Sequence, residues 1–274
     1  IPSTLMSALP KPGKIVSEKP YGKFGMTEIT LSNGMKVYVK PTDYQADQVM
    51  MSMRAEGGTS LYGNGDIPNF SLLTSAITEA GVGDFSATAL RKALAGKSIR
   101  LTPSISSEGQ RIAGSSSVKD METMLQLAHL YFMAPRKDSV AFEGLKNRTL
   151  SFLKNRNASS KVVYNDSLSA VLYDHNLRMA PVTGEVLAKA DYGRIMEIYR
   201  ERFSDASNFK TVFIGKIDMA ELRPLLCQYL ATLPSTYKKE KTDKKNVPQI
   251  VMKNEKVKFV HQQETPLANV SVFY

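Results

Sequence analysis

The segment from Glu28 to Lys40 limits the fold more than any other. Glu28-Ile-Thr-Leu31 and Met35-Lys-Val-Tyr-Val-Lys40 both alternate apolar and polar residues, and Ser32-Asn33-Gly34 lies between them. Asn-Gly tolerates the positive φ angles of a tight turn, so the pattern predicts an antiparallel hairpin. Gln48–Ala55, with Val49, Met51 and Met53 on one face, predicts a third strand ending at Gly57-Gly58. Runs of helical periodicity follow. Asn69–Glu79 places Phe70, Leu73 and Ile77 on one face, Ser86 caps a helix over 87–95, and Gly81-Val-Gly83 separates the two.

Ser98–Ser106 and Gln110–Ser116 predict two further strands around Glu108-Gly109. Helices are expected from Ser117 to before Pro135, from Asp138 or Ser139, over 159–173 and over 191–203. A buried strand at 209–214 and a helix opening at Asp218 and running to Leu233 complete the order. Hairpin-connected strands followed by runs of helices argue for an α+β fold. The expectation is an antiparallel or mixed sheet with helices mainly on one face. A regular β-α-β-α alternation, the mark of a doubly wound parallel sheet, is absent.

The expected division is an extended lead-in over 1–23, one α+β unit over 24–233, a Lys-rich linker over 234–246, and the truncated start of a following repeat over 247–274. The chain begins Ile1-Pro2-Ser3-Thr4 and ends in the strand-like alternation Ala268–Tyr274, so both ends read as cut from something longer. Strands are expected at 257–260 and 270–274.

Composition removes several function classes. A single Cys, Cys227, excludes an internal disulfide and a Cys-rich zinc module. Three His, at 129, 175 and 261, leave little material for a metal site, and no two share the i,i+3 or i,i+4 spacing of a helix-borne zinc site. No stretch approaches the roughly eighteen apolar residues that span a bilayer. The net charge of +10 would suit nucleic acid, but half of that excess lies between Thr236 and Lys258, where eight Lys face three acids. Lys without interleaved aromatics reads as a solvated linker.

Gly96-Lys97-Ser98 lacks the earlier glycine of a phosphate loop and stands after a helix rather than before one. Gly114-Ser-Ser-Ser117 is explained by a strand end and a helix start. Cys227 reads as a structural thiol, His129 as a core or rim residue and His175 as a loop hydrogen-bonder.

Several segments, taken in order, resemble the M16 zinc metallopeptidases, the insulinase/pitrilysin-like family. They are Leu31–Thr42, Glu56-Gly-Gly-Thr-Ser60, Leu94–Ser98, Gly114–Ser117, Tyr131–Arg136, Tyr199-Arg-Glu-Arg-Phe203, Phe213-Ile-Gly215 and Tyr229–Pro234. The resemblance covers about Gly25–Pro234. It implies four α+β repeats in a long chain, the first carrying zinc on a helical His-x-x-Glu-His plus a distant Glu. Where that motif would fall stand Asn69-Phe-Ser-Leu-Leu73. Zinc needs neutral imidazoles, and the water attack needs a carboxylate. Leucine provides neither.

The chain alone is therefore expected to be inactive, with no catalytic and no metal-binding residue, no cofactor of its own, and substrate-binding residues unassigned. It looks most like the third repeat, the first of the non-catalytic half. The resemblance implies a zinc-bearing catalytic half of the same protein as partner, an enclosed peptide substrate, and the periplasm or cell envelope as compartment. Nucleic acid and a membrane span are not expected. The alternatives are a stand-alone inactive subunit that binds a partner, and a basic nucleic-acid-binding domain.

Overall fold

Residues 4–261 and 264–274 are described by a computed structural model. Seven strands form one mixed sheet: β1 (Ile15–Tyr21), β2 (Met26–Leu31), β3 (Lys36–Pro41), β4 (Val49–Glu56), β5 (Ile99–Ile105), β6 (Gly109–Ser116) and β7 (Lys210–Gly215). Their spatial order is β1-β2-β3-β7-β4-β6-β5. All neighbours are antiparallel except β3 and β7, which run parallel. The last strand in sequence therefore lies at the centre.

The expected hairpin forms with a different turn. Leu31 and Met35 close a three-residue loop in which Gly34 alone has positive φ (89°). Asn33 keeps negative φ and uses its side chain elsewhere. Its Oδ1 accepts from Met35 N, and its Nδ2 donates to the carbonyls of Leu230 and Leu233.

Alternation along the strands sets the core. Val37, Val39, Val49, Met51, Met53, Ile112, Thr211 and Phe213 are buried on one face. Helices cover that face: α1 (Ile67–Phe70), α2 (Leu73–Ala80), α3 (Ala87–Ala93), α4 (Met121–Met133), α5 (Ser139–Lys154), α7 (Gly184–Ala188), α8 (Tyr192–Arg202) and α9 (Met219–Leu225), while α6 (Ser160–Leu172) buries no residue. After Pro224, α9 loosens into a π-helical turn over Leu226–Leu230. Ser86, Asp138, Ser159, Asp191 and Asp218 each accept a backbone N–H at a helix start.

Three local expectations change. Ile15–Tyr21, read as lead-in, pairs with β2 as an edge strand. The single helix expected over Asn69–Glu79 breaks at Ser71-Leu72, because α1 ends at Phe70 and α2 begins at Leu73. No strand forms at 257–260 or 270–274; both segments are exposed, and Val251 N donates to the Leu172 carbonyl at the end of α6.

The Lys-rich stretch after Pro234 is fastened to the domain. Asp205 accepts the backbone N–H groups of Thr236 and Lys238, and the Glu240 carboxylate pairs with Arg202. Asp243 N donates to Ser60 Oγ, and Asn246 Nδ2 to the Ser60 carbonyl. The lysines point outward while the acids, Thr242 and Asn246 hold the backbone down.

Candidate functional site

The positions at which the family would carry its metal, 69–73, follow β4 in sequence, and the chain leaves β4 through the turn Gly57-Gly58. Gly57 (φ 129°) and Gly58 (φ 57°) adopt backbone that L-residues rarely take. Gly57 N donates to the Glu108 carbonyl, Thr59 N to Ser106, and Gly58 N to Gln110 Oε1. A Cβ on Gly58 would stand 2.1 Å from the Ser106 carbonyl oxygen. We expect G58A to cost at least about 2 kcal/mol. An unchanged urea midpoint would show that the turn can relax.

The turn delivers Tyr62 into a partly buried polar cluster. Its hydroxyl donates to Glu201 (2.6 Å) and accepts from Arg202 Nε (3.0 Å), both on α8. Burial, together with the Glu201 hydrogen bond, pushes the phenol well above its ordinary pKa, so it stays protonated. The guanidinium groups of Arg194 and Arg202 both lie over the Tyr62 ring. Burial works most strongly against the charge of Arg202, but its interactions with Glu240 and Tyr62 together outweigh it and keep the group ionised. Arg178 donates to the Thr59 and Tyr62 carbonyls and to Asn64 Oδ1.

Arg194 grips Asp66 through two hydrogen bonds of 2.9 Å, holding its carboxyl below the usual range. Asn69 is buried, and its Oδ1 accepts from Asp191 N (2.8 Å) at the start of α8. Leu72 and Leu73 are 2% and 1% exposed within the core. The residues at the motif positions thus tie α1 and α2 to α8 and fill the interior. An amide already bonded and two core leucines do not fit a zinc ion. Among the described residues, no group of three His, Cys, Asp or Glu is placed to hold a metal.

The three histidines lie in separate settings. His129 on α4 is buried, and its Nδ1 donates to the Tyr229 carbonyl (2.7 Å). Burial lowers its pKa, which favours the neutral ring. His175 sits in an exposed turn with positive φ (55°), and His261 is exposed. Cys227 is half-buried in the π-helical turn. The anion-loop candidates are already supplied with a carboxylate, since Asp120 accepts from Ser98 N and Ser117 Oγ, with Lys97 4.0 Å away.

The cluster of Tyr62, Asp66, Arg178, Arg194 and Arg202 has no counterpart among the sequence expectations. The alternating charge of Arg194, Glu197, Glu201 and Arg202 on α8 was the available signal, and it reads equally well as a solvated helix face.

No protein-family model matches the chain. The fold is that of M16 peptidase domains. The structure of the periplasmic protease PqqL from Escherichia coli superposes with a TM-score of 0.75 at 17% identity, covering 89% of this chain and 27% of that one. A peptidase M16 inactive domain from Pseudomonas fluorescens gives a TM-score of 0.62 at 16% identity, over 80% of this chain and 54% of that one. In sequence, the chain is 27% identical over 237 residues to an Arabidopsis thaliana protein named zinc protease PQQL-like. That match covers 85% of this chain and 22% of the relative, so the chain spans less than a quarter of its relative's length. In fold the chain is thus similar to M16 peptidase domains, and in sequence to proteins named as zinc proteases.

Proposed function

We propose that this chain is a non-catalytic segment of an M16 zinc endopeptidase and supplies walls that enclose a peptide substrate rather than the chemistry of cleavage. One observation carries the reading. Asn69, Leu72 and Leu73, at the family's motif positions, are committed to packing and to α8, so nothing there can ligate zinc or take a proton from water. The inactive M16 domain among the structural neighbours, and the chain's small share of its zinc-protease relative, support it further. On this reading residues 24–233 are one repeat, 234–246 connect it, and a following repeat starts at 247. Zinc and the peptide-cleaving residues belong to the catalytic half of the parent protein. The periplasm is the compartment suggested by the Escherichia coli neighbour.

The test is metal analysis of the purified chain beside a quenched-fluorescence peptide assay. We expect sub-stoichiometric zinc and no cleavage, with cleavage only when the catalytic half is present. One tightly held zinc per chain, or cleavage by the chain alone that a chelator abolishes, would overturn the reading.

A further inference from the structure

The face of the sheet opposite the helices carries a row of like charges in cross-strand register. Lys36 stands opposite Lys210, Lys210 opposite Arg54, and Arg54 opposite Arg111. Four cations therefore stand side by side on four adjacent strands, about 4.8 Å apart from strand to strand. Two residues along each strand the row is Tyr38, Val212, Ser52 and Ala113, and two further it is Lys40, Ile214, Met50 and Ser115, with Arg100 opposite Ser115. On β3 to β7, six cations on this face meet one carboxylate, Glu56, at the end of β4.

Lys36 shares Glu28 with Lys19, at 3.7 and 3.5 Å. Arg54, Arg111 and Lys210 are exposed and have no carboxylate partner within 4.0 Å among the described residues. Like charges directly opposite one another destabilise a sheet, and the helices that could cover these strands lie on the other side. Met50 and Ile214 are cross-strand neighbours on the same face and are 53% and 38% exposed.

We propose that this face docks an acidic, amphipathic polypeptide segment. Its carboxylates would meet the Lys36-Lys210-Arg54-Arg111 row, and its apolar side chains the Met50–Ile214 pair. Charge complementarity selects an acidic partner. The apolar pair favours polypeptide over nucleic acid, whose phosphates would leave Met50 and Ile214 unused. The ring of Tyr38 is already packed edge-to-face against Tyr21, so it offers no free platform for a base. The inference stands on register and charge, and it holds whether or not the parent protein is a peptidase.

Fluorescence anisotropy on the full chain at low salt tests it. The probes are a short labelled peptide repeating Glu-Ser-Glu-Leu, the same peptide with Lys for Glu, the same with Ser for Leu, and an oligothymidylate of similar length. The Glu-Ser-Glu-Leu peptide should bind, and the Lys version should not. R54Q/R111Q/K210Q should weaken binding about tenfold, the sum expected of three exposed pairs. Its urea midpoint should be equal or higher, because repulsion is removed, so a folding defect would be recognised. M50S/I214S should reduce the Glu-Ser-Glu-Leu peptide to the affinity of its Leu-free version. Equal binding by the triple Gln variant would overturn the proposal. So would an oligothymidylate that binds more tightly than the peptide and ignores M50S/I214S.

Discussion

Removing residues 236–274 should cost the domain about 3 kcal/mol, whereas removing only 250–274 should cost less than about 1 kcal/mol. The difference lies in the strap. Arg202 is buried beneath Tyr62, with its side chain 4% exposed, and Glu240 is its carboxylate partner. Deleting one member of a buried pair leaves the other charge in a medium that does not solvate it. Water can partly replace Glu240, whose side chain is 36% exposed, so the expectation sits at the low end of that range and E240A alone should cost about 2 kcal/mol.

Asp205 adds a pH signature. Its burial raises its pKa, but hydrogen bonds from Ser207, Tyr237 and Thr236 outweigh that and leave the carboxyl below its ordinary value. A depressed carboxyl contributes stability above the ordinary carboxylate range near pH 4 and loses it as pH falls through that range and below. The gap between the full chain and the 236–274 deletion should therefore narrow in acid. Urea titrations of the two truncations and E240A at neutral and acid pH decide the matter. Equal midpoints for both truncations would show that the strap holds nothing.

The second large effect concerns the motif positions. N69H/L72E/L73H writes His-x-x-Glu-His into the chain, and it should unfold the domain rather than create a zinc site. Leu72 and Leu73 are core residues, and an ionisable group at either must be buried without a prepared partner, at a cost of at least about 4 kcal/mol for the set. The histidine at 69 would also lose the amide oxygen that accepts from Asp191 N. As a calibration, L73A should cost about 3 kcal/mol and L73M under about 1.5. Circular dichroism with urea, and metal analysis of whatever fraction folds, provide the readout. A folded triple variant with one tight zinc would show that this interior has room for a metal after all.

What could be read along the chain was local. The alternation of Val49, Met51 and Met53 and the capping side chains at 86 and 218 act within a few residues, and each appears in the structure as expected. β1 escaped because it is an edge strand, exposed on both faces beyond Ile15 and bearing Pro20, so no alternation marks it. The break between α1 and α2 escaped because Phe70, Leu73 and Ile77 keep helical spacing across it. The Tyr62 cluster joins residues more than a hundred positions apart, which no local pattern records. The strap was masked by composition, since its lysines dominate the count while Glu240, Asp243 and Asn246 make the contacts. That Leu72 and Leu73 stand where the family motif would carry its Glu and second His needed no tertiary information, because it is written in the sequence itself.

The central place of β7 has a consequence for how the chain is made. Until residue 215 has left the ribosome, β1-β2-β3 and β4-β6-β5 are two half-sheets, and the inner margins of β3 and β4 offer unpaired backbone groups to any passing strand. Joining them requires β7 to close loops back to Lys36 and Val49, contacts of long sequence separation whose formation is slow. At roughly 5–20 residues per second, a nascent chain spends many seconds in this divided state. Aggregation and chaperone demand should accordingly concentrate in the interval before β7 emerges, and substitutions in Lys210–Gly215 should lower the yield of soluble protein more than their effect on the finished fold would suggest.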